Sequence, residues 1–271
     1  MYFSNLVLFG IIKTFSFWSQ RMRKIKTLIY LLLFCCSTFA FSDEEAMPRT
    51  VDLGKMHPSC IPGYEDMDLD FLAEEYRPFQ GAMELCPYFR YLLTSFNLDA
   101  AIETGSGTGE TTAFLAFLFN RVNTMDNEVT VFNKACKYLQ AYSNATAHFG
   151  NSPDILRHIL PSKKNDRLLF YLDAYSKTAK RGPLLEELEL ISKTHRDNCI
   201  IVVNGIKVPG RNDIPYRTYG KSDCSYDYIK PLLNQIFSGY VCYYIIPKSP
   251  HLGAQLVVIP RTKTFSSGWA P

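Results

Sequence analysis

From Asp99 to Pro260 short apolar runs alternate with amphipathic stretches, and no other feature of the sequence constrains the fold as much. Alternation of this kind builds a mainly parallel sheet with helices on both faces, because each helical crossover returns the chain to start the next strand in the same direction. The run Leu168-Leu169-Phe170-Tyr171-Leu172-Asp173 is the most informative. It is too short for a buried helix and almost wholly apolar, as a strand covered on both faces should be. Further strands are predicted at residues 99–103, 121–126, 145–150 and 199–203. Helices are predicted at 111–119, 128–142, 153–160, 184–193 and 226–237. In the helix at 184–193, Leu184, Leu185, Leu188 and Ile191 make one apolar stripe. The last two strands, 240–246 and 254–259, are separated by a short Pro-, Ser- and Gly-containing turn. So short a link makes an antiparallel pair. The expectation is a doubly wound, Rossmann-like α/β sheet of seven strands ending in a C-terminal β-hairpin, over residues 98–262, with a tail at 263–271.

Residues 43–97 are acidic, Pro-dotted and weakly periodic, and read as an accessory lead-in with short helices at 68–75 and 88–96. Residues 1–42 are of another kind. Arg21, Arg23, Lys24 and Lys26 precede the apolar stretch Leu28 to Cys36, and the small residues Ser37, Thr38, Ala40 and Ser42 follow. That order is the layout of a secretory signal peptide, with cleavage after Ala40 or Ser42. The apolar stretch is shorter than the roughly 20 residues that span a bilayer. A rival reading joins the two apolar stretches of 1–42 into a membrane segment, against which Lys13, Arg21 and Arg23 weigh. Met22 opens the signal pattern and is a candidate true start. The expected location is therefore outside the cell, or at a membrane through this segment.

The formal charge of +3, with no basic run carrying interleaved aromatics, gives no footing for nucleic-acid binding. Of eight cysteines, Cys35 and Cys36 fall in the signal. Cys136, Cys199 and Cys242 lie in apolar periodic segments and read as buried thiols. Cys60, Cys86 and Cys224 lie in loop-like sequence and are the candidates for disulfides. No cysteine pair has zinc-ligand spacing, and no metal is expected.

The first predicted strand leads into Glu103-Thr104-Gly105-Ser106-Gly107-Thr108-Gly109 and then a helix. Glycines there let backbone N–H groups approach a ligand, and the helix N-terminus presents a positive end. A phosphate-binding P-loop would need Lys where Glu110 stands. A nicotinamide-binding loop counted from Gly105 would need Gly at Glu110. A glycine turn with a purely structural role stays open. About twenty residues on, Asp126 closes the second strand, where a carboxylate can bind both ribose hydroxyls or serve the next helix as N-cap.

With the terminal hairpin, these features resemble class I S-adenosylmethionine-dependent methyltransferases. The resemblance implies S-adenosylmethionine as cofactor, held by Glu103, Gly105, Ser106, Gly107, Gly109, Asp126, Asn151 and Asp173. The family usually has Gly-Asp where Gly150-Asn151 stands, and that Asp contacts the adenine amino group; the Asn151 carbonyl can still accept. Asp173 and Asn204, at the ends of the fourth and fifth strands, are the implied catalytic residues facing the acceptor.

This sequence departs from the pattern at that rim. Metal-dependent relatives carry Asp-Asn or Asp-Asp where Asn204-Gly205 stands, and two carboxylates with an amide oxygen hold Mg²⁺ there. Tyr175 stands where related proteins often have His. Methyl transfer needs little beyond alignment of donor and nucleophile, so the missing ligands leave activity open. The loop at 207–224 carries Arg211, Asp213, Tyr216, Arg217, Tyr219 and Lys221, which could line an acceptor pocket or lie solvated on the surface. The leading expectation is methyl transfer to an unidentified small-molecule or protein acceptor. The alternatives are an exported, non-catalytic binding module with the same fold and, less favoured, a nicotinamide-dependent oxidoreductase. Export sharpens the choice, since S-adenosylmethionine is a cytosolic cofactor.

Overall fold

A computed structural model describes residues 47–56, 64, 67–175 and 182–261. The expected signal or membrane segment and Cys60 lie outside the described residues. Among the described residues, no helix is long and apolar enough to cross a membrane.

The strands are β1 (Arg49–Asp52), β2 (Ala100–Thr104), β3 (Val122–Asp126), β4 (Ala145–Phe149), β5 (Leu168–Leu172), β6 (Cys199–Ile206), β7 (Thr218–Tyr219), β8 (Ser222–Asp223), β9 (Tyr240–Ile246) and β10 (Ala254–Pro260). The helices are α1 (Leu69–Glu75), α2 (Leu85–Phe96), α3 (Glu110–Leu118), α4 (Val129–Leu139), α5 (Ser152–Ile159), α6 (Leu184–Thr194) and α7 (Tyr226–Ile236). The main sheet has the order β1-β9-β10-β6-β5-β2-β3-β4, and only β10 runs against the rest.

The sheet has eight strands, one more than the seven expected. The extra strand is β1, which pairs parallel with β9 from Arg49 opposite Tyr243 to Asp52 opposite Ile246. It covers the outer edge of β9, an edge that would otherwise offer unpaired backbone groups. The Leu53 N–H extends the pairing to the Ile246 carbonyl, and Arg211 clamps Asp52 at 3.1 Å.

β5 is buried along its whole length, and its side chains alternate between two cores. Leu168, Phe170 and Leu172 pack with Leu184, Leu188 and Ile191 of α6 and with Ile229, Leu233 and Ile236 of α7. Leu169 and Tyr171 face the opposite layer, with Phe89 and Leu92 of α2 and Phe114 and Leu115 of α3. Each such buried Leu, Ile or Phe is worth about 1.5–3 kcal/mol relative to exposure. The α6 stripe seen in the sequence is thus the face that meets β5.

The cysteines correct one expectation. Cys86 and Cys224 are free thiols, not members of disulfides, as are Cys136, Cys199 and Cys242. Cys86 is not in a loop: α2 begins at Leu85, three residues before the predicted start, and buries the thiol in its first turn. Cys224 is also fully buried, and burial raises its pKa to about 12, so both sulfurs behave as small apolar groups.

Candidate functional site

The parallel strands end together on one side of the sheet, where ligands of doubly wound folds collect. There a cleft of about 590 Å³ is bounded by the loop after β2, the ends of β3 to β5 and the start of α5. That volume is within the range of small-molecule sites.

The loop after β2 turns on Gly105, at φ +81°. A Cβ there would lie 2.9 Å from the Asp173 carbonyl oxygen and 3.0 Å from the Ala174 Cα. Glycine is therefore required twice, by conformation and by the close approach of the chain leaving β5. The Gly105 and Ser106 N–H groups both donate to the Met125 carbonyl, at 2.8 and 3.0 Å. Asp126 then locks the loop from the far side. One carboxylate oxygen accepts from the Gly107 N–H at 3.2 Å, the other from the Glu128 N–H at 2.9 Å. The N-cap of α4 is Glu128, so Asp126 holds the turn before the helix and does not itself cap it.

Of the residues expected to hold the cofactor, Gly105, Gly107, Asp126, Asn151 and Asp173 line the cleft. Asn151 is the N-cap of α5, and its side-chain oxygen accepts from Asn127 Nδ2 at 2.9 Å. Glu103, Ser106 and Gly109 stand behind the wall, outside the cleft lining. Ser106 is buried and its carbonyl accepts from Gly109 N–H, while Gly109 packs its Cα face against Ala135 of α4.

Glu103 is 1% exposed and accepts hydrogen bonds from the Thr112 and Thr124 hydroxyls. Burial pushes its pKa up to about 8, the two hydroxyls pull against that shift, and the Asp173 and Asp126 charges add to it. A second buried carboxylate, Glu187 of α6, accepts from Ser152 and is raised to about 7, again chiefly by burial. Glu187 carries no sequence signal, because its partner is 35 residues away. Thr104 joins the two sides: its hydroxyl accepts from the Asp173 and Ala174 N–H groups at 3.2 and 3.3 Å.

The implied catalytic pair is brought together at the ends of β5 and β6. Asn204 Nδ2 donates to Asp173 Oδ1 at 2.8 Å. β6 runs on through Asn204 to Ile206, three residues past its expected end. It does so through a bulge: Gln255 of β10 opposes Asn204 and Ala254 opposes Ile206, which leaves Gly205 as the extra residue at φ +74°. Arg217 lies on the Gly205 Cα and donates to Asp173 with both terminal nitrogens, Nη2 to Oδ1 and Nη1 to the carbonyl oxygen at 2.8 Å. The loop at 207–224 is thus docked: it forms the small β7–β8 hairpin, and Lys207 pairs with Asp223.

Asp173 also lines a second cavity of about 30 Å³. Asn204, Tyr171, Gln255, Phe79 and Leu252 are among its walls. Gln255 donates to the Tyr171 hydroxyl at 3.3 Å, while its carbonyl oxygen is buried with no hydrogen-bond partner. This space fits one water or one small functional group.

No family model matches the sequence, and no curated protein matches it. Solved structures do. A Staphylococcus aureus protein assigned as a caffeoyl-CoA O-methyltransferase aligns over 73% of this chain and 94% of its own, at 16% identity and TM-score 0.50. A Klebsiella pneumoniae protein assigned to the O-methyltransferases aligns over 72% and 90%, at 12% identity and TM-score 0.50. The O-methyltransferase TomG of Streptomyces achromogenes, solved with S-adenosylmethionine, aligns over 76% and 99%, at 15% identity and TM-score 0.48. The fold is that of the class I methyltransferases. At these identities the likeness is one of architecture alone.

The rim does not offer a divalent cation what it needs. Mg²⁺ takes six oxygen ligands in near-octahedral array. Here Asp173 Oδ1 faces a guanidinium and an amide NH₂, and Gly205 has no side chain. Among the described residues, no cluster of three or more His, Cys, Asp or Glu is suited to a metal.

Proposed function

We propose that this chain binds S-adenosylmethionine in the 590 Å³ cleft and presents it to an acceptor at the Asp173–Asn204 rim, as a methyltransferase. The observation that carries this reading is the joint placement of Gly105, Gly107, Asp126 and Asn151 around one cleft at the strand ends. Asp126 stands where it can take a ribose diol, and it already braces the Gly107 turn. Asn127 and Asn151 offer an amide pair for the adenine edge. Bound S-adenosylmethionine supplies a methyl group already activated by its sulfonium. The protein's part is alignment, with Asp173 common to the cleft and the small cavity.

The test is calorimetric titration of the full chain with S-adenosylmethionine and S-adenosylhomocysteine. Saturable binding weakened by Asp126→Ala supports the reading, and no heat or thermal shift at millimolar ligand ends it. A non-catalytic binding module is the second reading, favoured by the small acceptor-side cavity. Saturable binding with no methyl released to any of a panel of alcohols, phenols, amines and carboxylates would favour it. Export remains a further expectation. N-terminal sequencing of the secreted or membrane-bound protein tests it, and an uncleaved cytosolic chain would refute the signal peptide.

A further inference from the structure

Arg217 is held from every side. Its N–H donates to the Gly205 carbonyl at 2.9 Å, and its own carbonyl accepts from Cys224 N–H at 2.9 Å. Its stem lies on the bulge glycine, where a Cβ would come within 2.8 Å of Arg217 Cγ. Its guanidinium grips Asp173 at two points and lies 5.2 Å from the centre of the Tyr175 ring. The side chain is 17% exposed. Gly205 therefore has a positive explanation beyond the loss of a ligand: it makes the bulge, and it leaves the space that Arg217 fills.

Two explanations for such an ion pair compete. As a stability device it is a poor choice, since desolvating two charges costs about as much as their attraction returns, and apolar residues of similar size often do as well. As a charge device it is well suited, because guanidinium is always protonated and forks rigidly onto a carboxylate. Its site, the carboxylate shared by the cleft and the small cavity, favours the second.

We propose that Arg217 is the resident cation of this rim: it occupies Asp173 where a divalent ion would have to bind, and positions that carboxylate without metal. The proposal rests on the methyltransferase reading only in calling the rim an acceptor site. Arg217 is on this account a positioning residue. The chemistry fits a rim that handles single hydroxyl or amino groups and not one that chelates a diol through a shared metal.

The test is Mn²⁺ titration of the full chain, read by calorimetry and electron paramagnetic resonance. Wild type and Arg217→Lys should take up no Mn²⁺ at the rim, and S-adenosylhomocysteine affinity should be the same with and without EDTA. Asn204→Asp/Arg217→Met frees Asp173, adds a second carboxylate and keeps an apolar stem over Gly205. It should bind Mn²⁺ with a dissociation constant of about 0.1–1 mM, and lose it when Asp173→Asn is added. Wild-type protein that binds Mn²⁺ in that range, and loses it in Asp173→Asn, overturns the proposal. So does a double variant that melts cooperatively yet takes up no Mn²⁺. Absent S-adenosylhomocysteine binding alongside the expected Mn²⁺ pattern would sink the methyltransferase reading and leave the Arg217 assignment standing.

Discussion

The two ends of the site are built on opposite principles. On the Gly105 side, an open cleft is walled by backbone and small polar groups, and the carboxylate beneath it, Glu103, is buried among hydroxyls. At the Asp173 rim, the carboxylate is matched by a full positive charge and closed down to a cavity of about 30 Å³. The cleft thus has room for a ligand of substantial size, and the small cavity for one functional group. A neutral support and an ion-paired support should fail under different stresses.

The sharpest way to break that contrast is Arg217→Ala. It leaves Asp173 largely buried without its counter-charge and should cost about 3 kcal/mol, read as a lowered denaturant midpoint. Affinity for S-adenosylhomocysteine should fall only about threefold, since Arg217 reaches the cleft through Asp173 alone and does not itself line it. A collapse of cofactor affinity would show that the two ends are one unit. Asp126→Ala is the reverse experiment. It removes a charged hydrogen-bonding group from the proposed ribose position and should weaken S-adenosylhomocysteine binding about 30-fold by calorimetry. Equal affinities for variant and wild type would put the ribose elsewhere.

pH acts on the two buried glutamates together. Glu103 and Glu187 are raised to about 8 and about 7 in the fold, against 4.5 when exposed. The folded state therefore holds protons that the unfolded chain releases, and stability falls as pH rises from about 5 through 8. Denaturant melts across pH 5–9 should show a loss of roughly 5–7 kcal/mol by linkage, and Glu103→Gln should flatten the larger part of it. A wild-type profile level from pH 6 to 9 would contradict a neutral Glu103.

The Gly105 side was also the more legible in sequence, for a physical reason. Its signals are local: the Gly105 turn, the spacing to Asp126 and the apolar run of β5 each act within one βαβ unit. The rim depends on contacts without local trace. Arg217 reaches Asp173 across 44 residues, and nothing in the loop at 207–224 singled it out from Arg211 or Lys221. Gly205 read as a missing ligand because its bulge exists only against β10. β1 escaped notice because four residues, two of them exposed, carry too little periodicity and gain their place from β9. Cys86 reads as loop because it falls in the Pro-dotted, weakly periodic lead-in, yet Pro87 is tolerated in the first turn of α2.

The smallest effect tests the Gly105 side at its one departure from the family pattern. Asn151 already uses its side-chain oxygen to accept from Asn127. Asn151→Asp would supply a second accepting oxygen and a charge for an adenine amino group while keeping the contact with Asn127. Against this gain stands the negative charge of Asp126 and Asp154 along the same cleft wall. A charge-assisted hydrogen bond exceeds a neutral one by about 1 kcal/mol, and like-charge repulsion at an exposed site takes back part of that. The expected result at neutral pH is two- to fivefold tighter S-adenosylhomocysteine binding, strengthening with salt as the repulsion is screened. Weaker binding in Asn151→Asp, at every salt concentration, would mean that the Asn127–Asn151 pair faces an acceptor-rich edge of the ligand, and the adenine would have to be turned over in the cleft.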